Sequence, residues 1–195
     1  MKETKRIKNI SDTLLSDHWA KLNKIDFDYQ LENGQWIRQS RETYHRGDGA
    51  VVLLYNPIKK TVILTRQFRM PAFANDPQAG FMIEACAGML DKDDPVTCII
   101  REAEEETGYR VPSATKIFEM YSSPGAMTEK LFYFIAEYDD SMKVSDGGGL
   151  DSEHEDIEVM ELPFKTVIDM LENGEIQDAK TCILLQYAQV HKLME

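Results

Sequence analysis

Hydrophobic and polar positions follow three different rhythms along the chain. Residues 19–44 alternate as strands do: Leu22, Ile25, Phe27 and Tyr29, then a Glu32-Asn33-Gly34 turn, then a second run over 36–44. Asn-Gly between alternating runs predicts an antiparallel hairpin. Two strands alone are marginal in water, so this piece needs something to pack against. From residue 49 the runs become more continuously apolar. Residues 50–55 and 61–68 read as buried strands joined at Asn56-Pro57, and 81–86 as another. A helix is predicted over 95–107, with Asp93 or Asp94 as its cap, Pro95 in its first turn and Gly108 at its end. Strand rhythm resumes over 116–121 and 131–138, and a polar loop containing Gly147-Gly148-Gly149 follows over 139–155. The last zone reads as a strand over 157–162, a helix from 163 to near Gly174, and a final helix from about 176 to 193. Strands enclosing a helix, with helices at the end, predict an α/β fold whose mixed sheet is covered on both faces.

Composition narrows the function. With 195 residues, 43% of them hydrophobic, the chain is long enough for one sizeable core. No apolar run approaches the roughly 20 residues of a membrane helix. Lys2, Lys5, Arg6 and Lys8 are not followed by a signal peptide's apolar stretch. The three cysteines, Cys86, Cys98 and Cys182, have neither CxxC spacing nor an even count, so they read as buried thiols rather than disulfides or a zinc site. The expectation is a soluble, cytoplasmic protein. Twenty-two basic residues against 34 acidic ones give a net charge of −12, the wrong field for nucleic acid or an anionic membrane. Such an excess of carboxylate serves solubility, or a divalent-metal site where several acids converge.

That convergence is offered by residues 88–109, GMLDKDDPVTCIIREAEEETGY. At about 100° per residue, Glu102, Glu105 and Glu106 share one sector of a helix, beside an apolar sector of Val96, Ile99, Ile100 and Ala103. Carboxylates so close repel one another unless a cation intervenes, and hard oxygen ligands suit Mg²⁺ or Mn²⁺.

The segment resembles the Nudix box, Gx5Ex7REUxEExGU with U apolar. Arg101, Glu102, Ala103, Glu105, Glu106, Gly108 and Tyr109 match its second half in register, and Gly88 matches its start. Asp94 stands at the first Glu position, with six residues instead of seven before Arg101. The resemblance extends over RQFR (66–69), IEACAGMLD (83–91), SSPG (122–125), GGGLDSEHEDIEV (147–159), ELPF (161–164) and GEIQDAKT (174–181), which look like the GDP-mannose pyrophosphatase branch, related to ADP-ribose pyrophosphatases. Pro124 falls where sugar-nucleotide hydrolases of the family carry a proline.

This resemblance implies a Nudix α/β/α sandwich over residues 45–195 and an N-terminal β subdomain over 1–44, its hairpin exchanged in a homodimer. It implies metal ligands at Glu102, Glu106, the Ala87 carbonyl and Glu155, with Glu153 the alternative on that loop and Arg101 orienting the glutamates. Glu102, Glu105 and Glu106 would hold the metal cluster, and Glu153 or Glu155 would orient or deprotonate the attacking water. Substrate contacts are implied at Arg41, Glu42, Arg69, Gly88, Met89, Glu129, His154 and Lys180, with Trp19 from the other subunit stacking on the base. The implied reaction is Mg²⁺-dependent hydrolysis of a nucleoside diphosphate sugar, GDP-mannose foremost, to a nucleoside monophosphate and a sugar 1-phosphate. Hydrolysis of ADP-ribose or another sugar nucleotide, and a non-catalytic nucleotide-binding module, are the alternatives. Nothing in the residues themselves distinguishes guanine from adenine or mannose from ribose.

Overall fold

The computed structural model describes every residue except Asp91, Asp151, Glu153 and Glu195. The chain gathers into two compact units, Met1–Asp48 with Tyr121–Lys130, and Gly49–Met120 with Leu131–Glu195.

In the first unit, β1 (Ile7–Asp17), β2 (Lys21–Gln30) and β3 (Trp36–His45) form an antiparallel sheet in that order. The expected hairpin is thus part of a three-stranded sheet, a correction at its N-terminal edge. β1 escapes an alternation argument because its pairing with β2 shifts between Lys8 and Ser11 and again between Leu14 and Ser16. Each irregularity interrupts the two-residue period by which strands are read. β3 is tied to the 121–130 segment, with the Tyr44 N–H donating to the Ala126 carbonyl at 2.9 Å and the Thr128 N–H to the Tyr44 carbonyl at 3.1 Å.

The second unit is built on a seven-stranded mixed sheet. Its strands are β4 (Gly49–Asn56), β5 (Thr61–Phe68), β6 (Phe81–Glu84), β7 (Cys86–Met89), β8 (Thr115–Tyr121), β9 (Lys130–Glu137) and β10 (Glu158–Pro163). The main path runs β10-β5-β4-β9-β8. β4 is parallel to β9 and antiparallel to β5 and β7. β4 and β5 pair over only three positions, Leu54 with Ile63, Tyr55 with Val62 and Asn56 with Thr61. Beyond them β7 pairs with β4 and β6 with β5, so the run expected as one strand over 81–86 is two, broken at Ala85.

Among the described residues of the unit, four α-helices accompany the sheet: α1 (Met70–Asn75), α2 (Pro95–Thr107), α3 (Phe164–Glu172) and α4 (Ala179–Val190). β4 is buried along its whole length, and its side chains divide by parity. Val51, Leu53 and Tyr55 pack with Val167 of α3 and Leu184, Leu185 and Ala188 of α4, whereas Ala50, Val52 and Leu54 pack with Ile99 and Ala103 of α2. The result is the α/β/α arrangement expected. α1 has no buried residue, which is why no apolar stripe announces it. α4 begins later than the sequence suggests, because the Asp178 side chain accepts the Thr181 N–H at 2.9 Å and caps the helix there. No helix among the described residues is long and apolar enough to cross a membrane.

Candidate active site

Local signals set α2, the helix of the acidic cluster. Asp94 Oδ1 accepts the N–H groups of Val96 at 3.1 Å and Thr97 at 3.2 Å, and Gly108 ends the helix in the left-handed conformation. The departure at the first box acid therefore has a structural explanation: the Asp94 carboxylate serves as the N-cap.

Arg101, Glu102, Glu105 and Glu106 converge as the helical spacing requires. Arg101 lies across two of the acids, its Nη1 donating to Glu105 Oε2 at 2.6 Å and its Nη2 standing 2.9 Å from Glu102 Oε1. Although Glu106 shares the carboxylate sector of the helix, it is only 3% exposed. β7 covers it, and the Ala87 N–H donates to Glu106 Oε2 at 3.3 Å. Gly88, the next residue of β7, allows a close approach. A Cβ there would occupy the space of the Glu102 carboxyl. Met89 pairs with Gly49 at the end of the same strand, and its carbonyl accepts from the Cys98 thiol at 3.3 Å.

Burial leaves these carboxylates short of positive charge. Desolvation raises the pKa of Glu102 to about 7, with Arg101 opposing and Glu105 and Glu155 adding to the rise. Glu106 is likewise pushed up to about 7, first by burial and then by Glu102 and Glu155, while hydrogen bonds from the Cys86 thiol and the Ala87 N–H act the other way. Glu155 thus reaches the cluster from the far loop. Its Oε2 accepts the Leu150 N–H at 3.0 Å, and it rests against Gly149, where a Cβ would collide with it. The loop itself is pinned to the end of α2, the Gly148 N–H donating to the Glu106 carbonyl at 2.9 Å and the Gly149 N–H to the Glu105 carbonyl at 3.1 Å. His154 beside it is exposed. Glu153, the alternative loop acid, lies outside the described residues.

A buried carboxylate, Glu106, and a half-buried one, Glu102, repelling one another beside the main chain of β7, fit a hard divalent cation, which takes few protein ligands and fills its shell with water and phosphate oxygen. Among the described residues, no three His, Cys, Asp or Glu side chains are arranged to hold one ion by themselves. Glu102, Glu106 and a main-chain carbonyl remain the donor set that suits it.

Two expected substrate contacts meet elsewhere in this unit, around a residue that the sequence reading missed. Arg69 Nε donates to Glu84 Oε2 at 2.7 Å, and Lys180 Nζ donates to Glu84 Oε1. An acid inside the otherwise apolar FMIEACAG run was the available signal. Trp19, Arg41, Glu42 and Glu129 belong to the other unit. There Trp19 is 67% exposed, with the Arg46 guanidinium 5.6 Å from its ring centroid. Arg41 and Glu42 are exposed on β3, where Arg41 Nη1 donates to the Ser40 carbonyl at 2.7 Å. Glu129 is buried, accepting from Ser122 Oγ at 2.6 Å and paired with Arg46 Nε at 2.8 Å.

Comparison with known proteins adds two matches that together span most of the sequence. Residues 6–44 match the family model described as the GDP-mannose pyrophosphatase NudK N-terminal domain, and residues 45–182 match the NUDIX domain. The GDP-mannose pyrophosphatases of Escherichia coli O1:K1 and of Escherichia coli strain K12 are each 50% identical to this chain over 192 residues, which is 98% of this chain and 100% of theirs.

Proposed function

The chain belongs to the NUDIX family and is a hydrolase acting on pyrophosphate bonds, and on that premise we propose that it hydrolyses GDP-mannose to GMP and mannose 1-phosphate. The observation that carries the substrate is the 50% identity with GDP-mannose pyrophosphatases over 192 residues, which takes in both the acidic helix and the N-terminal sheet. Enzymes of this family need a divalent metal; here Mg²⁺ is the proposed ion, with Mn²⁺ able to replace it.

Glu102, Glu106 and the Ala87 carbonyl would hold the metal, with Glu155 reaching it from the loop. When bound, the cation supplies charge neutralisation for the diphosphate and a water of lowered pKa. Arg101 keeps Glu102 and Glu105 oriented. Glu155, or Glu153 on the same loop, orients the water and accepts its proton. Arg69 and Lys180 grip the diphosphate oxygens, Arg through its planar fork. Gly88 and Met89 contribute main-chain contacts, and His154 a contact from the loop. Residues 1–44 form the dimerisation subdomain and 45–195 the hydrolase domain of a cytoplasmic enzyme.

A panel of nucleotide sugars with Mg²⁺, read by phosphate release through an added phosphatase, tests the substrate. GDP-mannose is expected to give the highest kcat/KM. A higher value for ADP-ribose would reassign the substrate, and no turnover of any member by folded protein would favour a binding module.

A homodimer is the second part of the proposal. Leu14, Leu15, Trp19 and Trp36 are exposed on a three-stranded sheet too small to hold that much apolar surface in water. A second copy would cover it, bringing Trp19 to the partner's base site and Arg41, Glu42 and Glu129 to substrate. Sedimentation at micromolar concentration is expected to give the dimer mass; a fully active monomer would overturn the shared-site arrangement.

A further inference from the structure

Glu84 lies at the end of β6, two residues before the strand that carries Ala87 and Gly88. Its side chain is 5% exposed, and a carboxylate so buried needs partners for its charge. It has two, one for each oxygen. Arg69 takes Oε2 through Nε alone, and neither of its terminal nitrogens donates to any other described residue. The Arg69 side chain is 39% exposed, and its two terminal nitrogens, the pair that suits a phosphate, are left uncommitted by Glu84. Lys180 takes Oε1 and lies 2.9 Å from Asp178 Oδ1, which leaves one of its three protons uncommitted.

The surroundings hold Glu84 firmly. Its carbonyl accepts from Thr65 Oγ1 at 3.2 Å. The next N–H, that of Ala85, donates to Thr181 Oγ1 at 2.7 Å, and Thr181 Oγ1 donates to Asp178 Oδ2 at 2.6 Å. The start of α4, and Lys180 with it, is therefore fastened to the same stretch of chain that leads into the acidic cluster. A buried ion pair serving stability alone would need one cation and would engage its strongest donors. Here one carboxylate orients two long cationic side chains and leaves donors of both free.

We propose that Glu84 is a positioning residue for anion binding, holding Arg69 and Lys180 as a prepared pair for the two phosphates of the substrate. The inference rests on the diphosphate hydrolase reading of this site. It gives a role to a carboxylate that touches neither metal nor substrate and acts only through its two partners. Without it, both side chains would regain their rotamer freedom, and binding would have to order them.

The test is Glu84→Gln, alone and in an Arg69→Ala, Lys180→Ala background, with GDP-mannose kinetics at saturating Mg²⁺ and calorimetric binding of methylenediphosphonate. Alone, the substitution is expected to raise KM and weaken diphosphonate binding about tenfold, with kcat changed less than threefold; Glu84→Asp is expected to recover part of the loss. In the double background it should change KM less than twofold, because its partners are gone. A fall in kcat and Tm at unchanged KM would assign Glu84 to structure alone and overturn the proposal, as would an equal tenfold loss in the double background. If the wild type turns over no nucleotide sugar, the hydrolase reading fails, and diphosphonate affinity still decides the role of Glu84. No measurable affinity in the wild type, or equal affinity in the variant, overturns it.

Discussion

Glu106→Gln is expected to lower kcat by on the order of 10² to 10³ while making the metal-free protein more stable. The loss of rate corresponds to about 3 to 4 kcal/mol of transition-state stabilisation, the scale of one well-aimed charged group. The gain in stability follows from burial. Glu106 has a pKa of about 7 in the fold against a reference value of 4.5. Between those two values the folded chain holds a proton that the unfolded chain has released, so stability falls as pH rises from about 4.5 to 7 and stays low above. Gln carries no such titration and still accepts the Ala87 N–H. Its advantage without metal should therefore grow from pH 5 to pH 8, reaching on the order of 1 to 3 kcal/mol. Added Mg²⁺ should raise the Tm of the wild type at pH 8 and move the variant far less. Thermal melts in EDTA and in Mg²⁺, with kcat at saturating metal, check both halves. Near-normal kcat would remove Glu106 from the site, and a variant less stable than the wild type at pH 8 in EDTA would mean that the carboxylate is already satisfied in the fold.

Gly88→Ala should give the next largest effect, on the order of 10² in kcat/KM. The added methyl group would claim the space of the Glu102 carboxyl, which is the far end of a flexible side chain. The fold escapes cheaply because Glu102 swings away, and Ala suits a strand better than Gly. The site does not escape, since that movement separates Glu102 from Arg101 and from Glu106. Tm is expected to shift by only a few degrees while the Mg²⁺ concentration for half-maximal activity rises. Unchanged activity with a stable fold would show that the seat of Glu102 against β7 is unnecessary.

How readily the sequence discloses an element depends on how local its cause is. The span of α2 is legible because Asp94, Pro95 and Gly108 are each neighbours of the helix they bound. The alternate faces of β4 follow from parity once its apolar run is recognised. β1 is obscured by its two irregularities, and α1 by its lack of a buried stripe. The carboxylate spacing of the site is a property of one helix and is visible in the residues alone. The burial of Glu106 is not, because β7 imposes it from elsewhere in the chain. Glu84 is hidden for the same reason, since its partners are 15 and 96 residues away.

The stretch from Glu84 to Gly88 gives successive residues opposite obligations. Ala85 belongs to the core beneath α3 and α4, Cys86 to the core beneath α2, and Ala87 again packs toward the first. Such a segment is a reading frame in space. One inserted or deleted residue would reverse which layer each side chain enters, exchanging thiol for methyl against Glu106 and carrying the Glu102 seat to the opposite face. Single replacements leave that phase intact, so length is the quantity this segment must keep constant. The 139–155 loop is held by main-chain hydrogen bonds instead, among them the Val144 N–H to the Gly108 carbonyl at 2.8 Å and the Gly148 N–H to the Glu106 carbonyl at 2.9 Å, and such ties do not depend on which face a side chain enters. Variation in the number of residues is expected to accumulate there, altering what the loop brings to the substrate without disturbing the strand that seats the acids.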